Sequence, residues 1–219
     1  MGQGEDDGRG EGARGDGAGG DGAGAHGARG NPWTTLGCEV AFENAHFRVR
    51  DDRVIDAAGR TSRYATVAMR KQGVAVLPVD GAGRTVLVGQ WRYALGAWRW
   101  ELPKGGAEPG EDPLACARRE LEEEANLRAR GWAGIARLDQ SAAIVRSTIH
   151  GFLAWDVEPR AGTPDPQEVL ELRVLPFSEA VELVLAGEVS DTVSSVLLLK
   201  AEALRRRGAL PAPVLDALG

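Results

Sequence analysis

Gly105-Gly-Ala-Glu-Pro-Gly-Glu111-Asp-Pro-Leu-Ala-Cys-Ala-Arg-Arg119-Glu-Leu-Glu-Glu-Glu124-Ala-Asn-Leu127 is the stretch from which the rest of the chain can be read. Its helix start is well marked. Asp112 is a suitable N-cap, and Pro113 takes the first helical position, where a missing N–H costs nothing. At ~100° per residue, Leu114, Ala117, Leu121 and Ala125 share one arc, which predicts the buried stripe of a helix from Asp112 to Ala125. Glu120, Glu123 and Glu124 share another arc on the far side, with Glu122 apart from them and Arg119 one turn before Glu123. Asn126 ends the helix at a position that calls for φ > 0, which Asn tolerates best after Gly.

Three carboxylates on one face near a helix C-terminus are a poor choice for stability. Like charges at i,i+4, such as Glu120 and Glu124, cost roughly 0.2–0.5 kcal/mol, and acids there oppose the macrodipole. A solvated acidic face is the plain reading of any Glu-rich helix. A bound divalent cation would instead remove the penalty, since hard cations take carboxylate oxygens, water and phosphates. The surroundings decide between the two. Gly105, Glu111 six residues on, Arg119-Glu120 eight beyond, then Glu123-Glu124 form a six-position pattern expected by chance in roughly one chain in 10⁵.

That spacing is the Nudix box, and the chain resembles the Nudix hydrolases. The resemblance implies an α/β fold, with an α/β/α sandwich around a mixed β-sheet. It also implies Mg²⁺-dependent hydrolysis (Mn²⁺ being the other candidate metal) of a nucleoside diphosphate linked to another group. On this chain the family's metal acids fall on Glu120, Glu123 and Glu124, with Arg119 orienting them. Glu111 is the earlier box acid and a further metal candidate, and the backbone carbonyl of Lys104 or Gly105 would add a ligand. The box has Gly where this chain has Asn126.

Gly73-Val-Ala-Val-Leu-Pro78, Gln90-Trp-Arg-Tyr93, Trp100-Glu-Leu-Pro-Lys-Gly-Gly106, Arg60-Thr-Ser-Arg-Tyr64 and Ala186-Gly-Glu-Val-Ser-Asp191 look like the ADP-ribose and nucleotide-sugar pyrophosphatase branch. In that branch the front strands exchange across a homodimer and supply aromatic residues that stack on the base. Tyr64 and Phe47 are the candidates here, and core or dimer packing is the other reading of Phe47. Arg92 matches a phosphate- or ribose-contacting arginine, with a strand-edge salt bridge as its other reading. Glu101 and Arg70 complete the substrate candidates. The branch's Ser-Pro-Gly stretch and distal Glu are missing. The chain reads Ser141-Ala-Ala143 there, with Ser147 at the Glu position, so the general base comes from elsewhere, Glu168 and Glu171 being candidates.

Outward from this core the chain is ordinary. Its 219 residues suggest one domain with tails, and 43 % hydrophobic residues exclude wholesale disorder. A net charge of −6 argues against a nucleic-acid partner, and no apolar run approaches membrane-spanning length. Two cysteines, Cys38 and Cys116, and no secretory h-region point to a cytoplasmic protein with reduced thiols. Residues 1–32 are expected to be a disordered Gly-rich tail, since the first 30 hold 13 Gly and no Val, Ile, Leu, Phe, Tyr or Trp. A strand segment over 33–72 is assigned to dimerisation and base contacts, a hydrolase domain to 73–207, and a loose tail to 208–219. Ser178 and Ser190 are expected to cap two late helices.

The leading substrate is ADP-ribose, giving AMP and ribose 5-phosphate. GDP-mannose, a dinucleoside polyphosphate or another phosphoanhydride is the alternative within enzymes, and a non-catalytic ADP-ribose sensor the alternative outside them.

Overall fold

The computed structural model describes residues 30–160 and 171–219. Most of the tail assigned to 1–32, and Glu168, lie outside the described residues. The chain opens with β1 (Thr34–Gly37), β2 (Val40–Glu43), β3 (Phe47–Ile55) and β4 (Thr61–Met69). There follow β5 (Gly73–Pro78), β6 (Arg84–Arg92), a single 3₁₀ turn at Tyr93–Leu95, β7 (Ala97–Glu101) and β8 (Lys104–Gly106). Helix α1 (Pro113–Ala125) leads into β9 (Leu127–Asp139), β10 (Val145–Arg146), β11 (Thr148–Pro159) and β12 (Glu171–Pro176). Helices α2 (Phe177–Leu185), α3 (Thr192–Arg206) and α4 (Ala212–Leu218) end it.

The central strand shows why this sequence makes three layers. Residues 74–78 of β5 are apolar and buried, as in a strand covered on both faces. Alternation sends Val74 and Val76 into one cluster with Cys116, Ala117, Leu121 and Ala125 of α1. Ala75 and Leu77 point the other way, into a second cluster with Ala180 and Val181 of α2 and Val193, Leu197 and Leu198 of α3. Each fully buried Leu or Val contributes roughly 1.5–3 kcal/mol. The sheet between the layers is mixed, in the order β8-β5-β11-β9, with β5 and β11 parallel and the other pairs antiparallel. A second sheet, β12-β6-β7, is antiparallel throughout. This is the α/β/α sandwich expected from the sequence.

The N-terminal strands form their own sheet, β1-β3-β4-β10, with β2 also pairing with β3. The strand segment read over 33–72 holds β1, β2, β3 and β4, paired antiparallel. The parallel pairing of Val145 and Arg146 with Val67 and Ala68 ties this sheet to the 140s loop. No helix among the described residues is long and apolar enough to cross a membrane.

Three local expectations need correction. Residues 208–219 are not loose throughout: α4 occupies most of them, Leu210 is buried and Val214 fully so. The prolines here open a helix, with Pro213 in its first turn, rather than breaking one. Ser178 lies inside α2, which starts directly after Pro176 with no side-chain cap. Helix α3 is capped by Asp191 rather than Ser190, with the Asp191 carboxylate accepting from Ser194 N–H at 2.9 Å.

Asn126 adopts φ 53° and ψ 40° as expected, and its N–H closes the last turn of α1 on the Leu121 and Glu122 carbonyls. Its side-chain oxygen is buried without a hydrogen-bond partner. Asn126→Gly removes both the left-handed strain and that orphan acceptor. It should raise the unfolding free energy by about 0.5–1 kcal/mol in urea titrations; a lower midpoint would contradict this reading of the turn.

Candidate metal and diphosphate site

Pro103 separates β7 from β8, and α1 lies across the short strand that follows. Asp112 caps α1 as expected, accepting from the Leu114 and Ala115 N–H groups at 3.0 and 3.2 Å. The burial of α1 differs from the wheel in one informative way. Glu120 belongs to the covered side, at 8 % exposure, while Cys116 is fully buried and Leu114 only partly. The cause is β8. A Cβ added at Gly105 would sit 2.2 Å from the Glu120 carboxyl, so that carboxylate occupies the space that glycine leaves. Glu124, one turn later, accepts the Lys104 N–H at 2.8 Å. Two acids of the expected metal face thus converge on the Lys104–Gly105 backbone.

Arg119 organises the rest. Its guanidinium reaches Glu120 at 2.7 Å, Glu123 at 2.8 Å and Glu111 at 3.0 Å, and also donates to the Gly106 carbonyl at 3.2 Å. These partners, Glu111 first, raise its already high pKa further. Glu123 points outward, with its side chain 44 % exposed. Glu111 also accepts the Glu108 N–H at 2.8 Å, so it fastens the loop before α1 onto Arg119. The Arg119 hydrogen bonds and that backbone N–H bring the Glu111 carboxyl down to about 2. Because this folded value lies below the ordinary 4.5, Glu111 stabilises the fold above that pH, and the contribution disappears as pH falls toward 2. Glu111→Gln should therefore flatten the acid limb of the stability curve between those values, read by denaturant unfolding. Parallel curves for variant and wild type would contradict this.

Among the described residues, no three His, Cys, Asp or Glu side chains are gathered as a preformed metal cluster. The donor chemistry nevertheless fits a hard divalent cation. Mg²⁺ typically takes one or two carboxylates and completes its shell with water and substrate phosphates. Glu120 and Glu124, brought to one backbone segment, are such a set.

Arg92 and Glu101, expected as separate substrate contacts, are partners of one another. The Arg92 guanidinium embraces the Glu101 carboxylate through Nε and Nη2. Glu101 is only 3 % exposed, so a buried carboxylate holds a partly exposed guanidinium. Glu101 raises the Arg92 pKa against the opposing effect of burial, and the charges of Glu124 and Asp191 add to the rise. Arg92 therefore lies within electrostatic reach of both Glu124 and Asp191.

The other substrate candidates lie on the N-terminal sheet with partners of their own. Tyr64 donates its hydroxyl to the Ala143 carbonyl at 2.5 Å and meets Trp33 edge-on at 5.2 Å. Phe47 packs on Phe42 at 5.8 Å, and Arg70 pairs with Glu43 at 2.9 Å. Ser147 lies within 3.4 Å of the Gln140 side-chain oxygen, beside a cavity of about 260 Å³ that Tyr64 also lines. Asp139 is the one acid among that cavity's lining residues. Glu171 starts β12 opposite Gly89, exposed to solvent.

Sequence reasoning missed the side chain of Lys104, whose ammonium lies 2.7 Å from Asp191 and 3.1 Å from Glu101. Asp191 was visible only as part of a branch-like segment before a helix. Nothing in a separation of 87 residues announces the contact.

Three comparisons bear on this arrangement. The model of the NUDIX domain matches residues 69–194. The chain is 30 % identical over 168 residues to the CMP-5'-(N-acetyl-N-hydroxy-3-aminopropyl)phosphonate hydrolase of Streptomyces rubellomurinus, covering 76 % of this chain and 81 % of that one. It is 29 % identical over 185 residues to an ADP-ribose pyrophosphatase of Mycobacterium tuberculosis, covering 82 % and 88 %. Among solved structures, an ADP compounds hydrolase superposes with a TM-score of 0.72 at 20 % identity, over 81 % of this chain and 97 % of the other, which shows the shared fold.

Proposed function

The chain belongs to the NUDIX domain family, and from that premise we propose that it hydrolyses the diphosphate bond of a nucleoside diphosphate sugar, ADP-ribose first. The observation that carries this reading is the convergence of Glu120 and Glu124 on the Lys104–Gly105 backbone. ADP-ribose is favoured by the relative of that name, which the chain matches over 82 % of its own length.

In this reading Glu120, Glu123, Glu124 and the Lys104 or Gly105 carbonyl would hold Mg²⁺. The cation, when bound, neutralises the diphosphate and lowers the pKa of a water. Arg119 keeps Glu120 and Glu123 in place, and Glu111 anchors Arg119 rather than the metal. The Arg92 guanidinium, held by Glu101, presents its remaining edge to phosphate oxygens. AMP and ribose 5-phosphate are the products.

The reading extends to a cytoplasmic homodimer. Leu36, Val40, Phe42 and Met69 are exposed on the N-terminal sheet, an apolar surface suited to a second copy, and Cys38 and Cys116 are free thiols. Tyr64, Phe47 and Arg70 on that sheet are the base-side candidates.

The test is turnover of a panel with Mg²⁺: ADP-ribose, GDP-mannose and a dinucleoside tetraphosphate, with phosphatase-coupled release of phosphate. The expected result is fastest turnover of ADP-ribose. Faster turnover of another member would move the substrate within the class. Tight ADP-ribose binding with no product from any of them would replace the hydrolase by a sensor.

A further inference from the structure

Arg92, Glu101, Lys104 and Asp191 form a chain of alternating charges behind the Lys104–Gly105 segment. It is largely withdrawn from solvent, the side chains of Lys104, Asp191 and Glu101 being 18 %, 14 % and 4 % exposed. Asp191 uses its two oxygens differently. Oδ1 accepts from the Ser194 N–H at 2.9 Å and from the Ser194 hydroxyl at 2.6 Å, which caps α3. Oδ2 takes the Lys104 ammonium at 2.7 Å. The fully buried Ser194 hydroxyl in turn accepts the Leu102 N–H at 2.9 Å, so the N-terminus of α3 grips both the β7–β8 connection and the first residue of β8. Burial pushes the Asp191 carboxyl up, but Lys104 and Ser194 outweigh it and hold it below the ordinary carboxylate range.

A helix cap requires only Oδ1, and Asn would serve as well as Asp. The charge on Oδ2 is therefore surplus to capping. We propose that Asp191 is a positioning residue for the hydrolytic site, acting through Lys104. It draws the ammonium back toward α3. That fixes the segment whose Lys104 N–H meets Glu124 and whose Gly105 backs Glu120. Without the Asp191 charge, the ammonium retains its ion pair with Glu101, already shared with Arg92, and becomes a competitor for the carboxylates intended for the divalent cation. This inference rests on the hydrolase reading above.

The variants are Asp191→Asn, Lys104→Met and the double mutant, each in the full chain. Mg²⁺ affinity is measured by calorimetry without substrate, and the Mg²⁺ concentration for half-maximal turnover of ADP-ribose is measured beside it. Asp191→Asn is expected to weaken Mg²⁺ about 10-fold in both readouts, with a fall in melting temperature from the lost ion pair, while Asn keeps the cap. The double mutant should match Lys104→Met alone, because one residue acts through the other. Unchanged Mg²⁺ affinity in Asp191→Asn, with or without a fall in melting temperature, would overturn the proposal and leave Asp191 a cap. Additive effects in the double mutant would also overturn it. A wild type that turns over nothing sinks the hydrolase reading instead, and the calorimetric comparison still decides the role of Asp191.

Discussion

Glu124→Gln is expected to reduce ADP-ribose turnover on the order of 10³-fold, the size of effect that follows loss of one fixed electrostatic partner of a developing charge. The substitution is close to isosteric. Its amide oxygen can still accept the Lys104 N–H, so the backbone contact at 2.8 Å survives. What disappears is the negative charge offered to the cation. It also removes a like-charge neighbour of Glu120 at i,i+4, which by itself stabilises by roughly 0.2–0.5 kcal/mol. The variant should thus be nearly inactive and at least as stable as wild type, read by turnover and urea unfolding on the same preparation. Retention of half the activity or more would remove Glu124 from the metal face.

The second large effect is expected at Gly105. An alanine Cβ there lies 2.2 Å from the Glu120 carboxyl, well inside any tolerable contact. The neighbour is the tip of a flexible side chain, so the fold can give way at modest cost, about 1 kcal/mol. The cost to activity is larger, because the group that must move is a candidate ligand and its displacement also disturbs the 2.7 Å contact with Arg119. Gly105→Ala should lose activity about 100-fold or more, by the sensitivity of reacting geometry to displacements near 1 Å. Gly106→Ala is the control. Its Cβ would meet Lys71 alone among the described residues, Cδ at 3.2 Å and Cβ at 3.5 Å, and it should keep most of its activity. Equal activities in the two variants would show that the Glu120 position does not matter.

What could be read in the sequence, and what could not, follows the range of the forces involved. The cap at Asp112 and the left-handed Asn126 are decided by neighbouring residues, and both are present. The face of α1 that carries Glu120 is decided by β8, a three-residue strand too short to show periodicity. The angular wheel therefore placed Glu120 on the arc opposite the buried stripe. Helix α4 was obscured because prolines mark helix starts as well as breaks, and only the docking of Leu210 and Val214 onto the core resolves which. The pairing of Lys104 with Asp191 is a tertiary contact between a strand and a helix cap, with no local signature at either end. Arg92 and Glu101 were each singled out, yet their partnership depends on the register that places Val88 opposite Glu101 and Arg92 opposite Ala97. Residues facing the same side of a hairpin were visible one by one but not as a pair.

Phosphorus NMR of ADP-ribose incubated with the protein, with Mg²⁺ and again after chelation by EDTA, tests the central claim most directly. The diphosphate resonances are expected to give way to the phosphomonoester signals of AMP and ribose 5-phosphate, and EDTA to stop the conversion. Persistent diphosphate signals in the presence of Mg²⁺, or the same products with the metal removed, would contradict it.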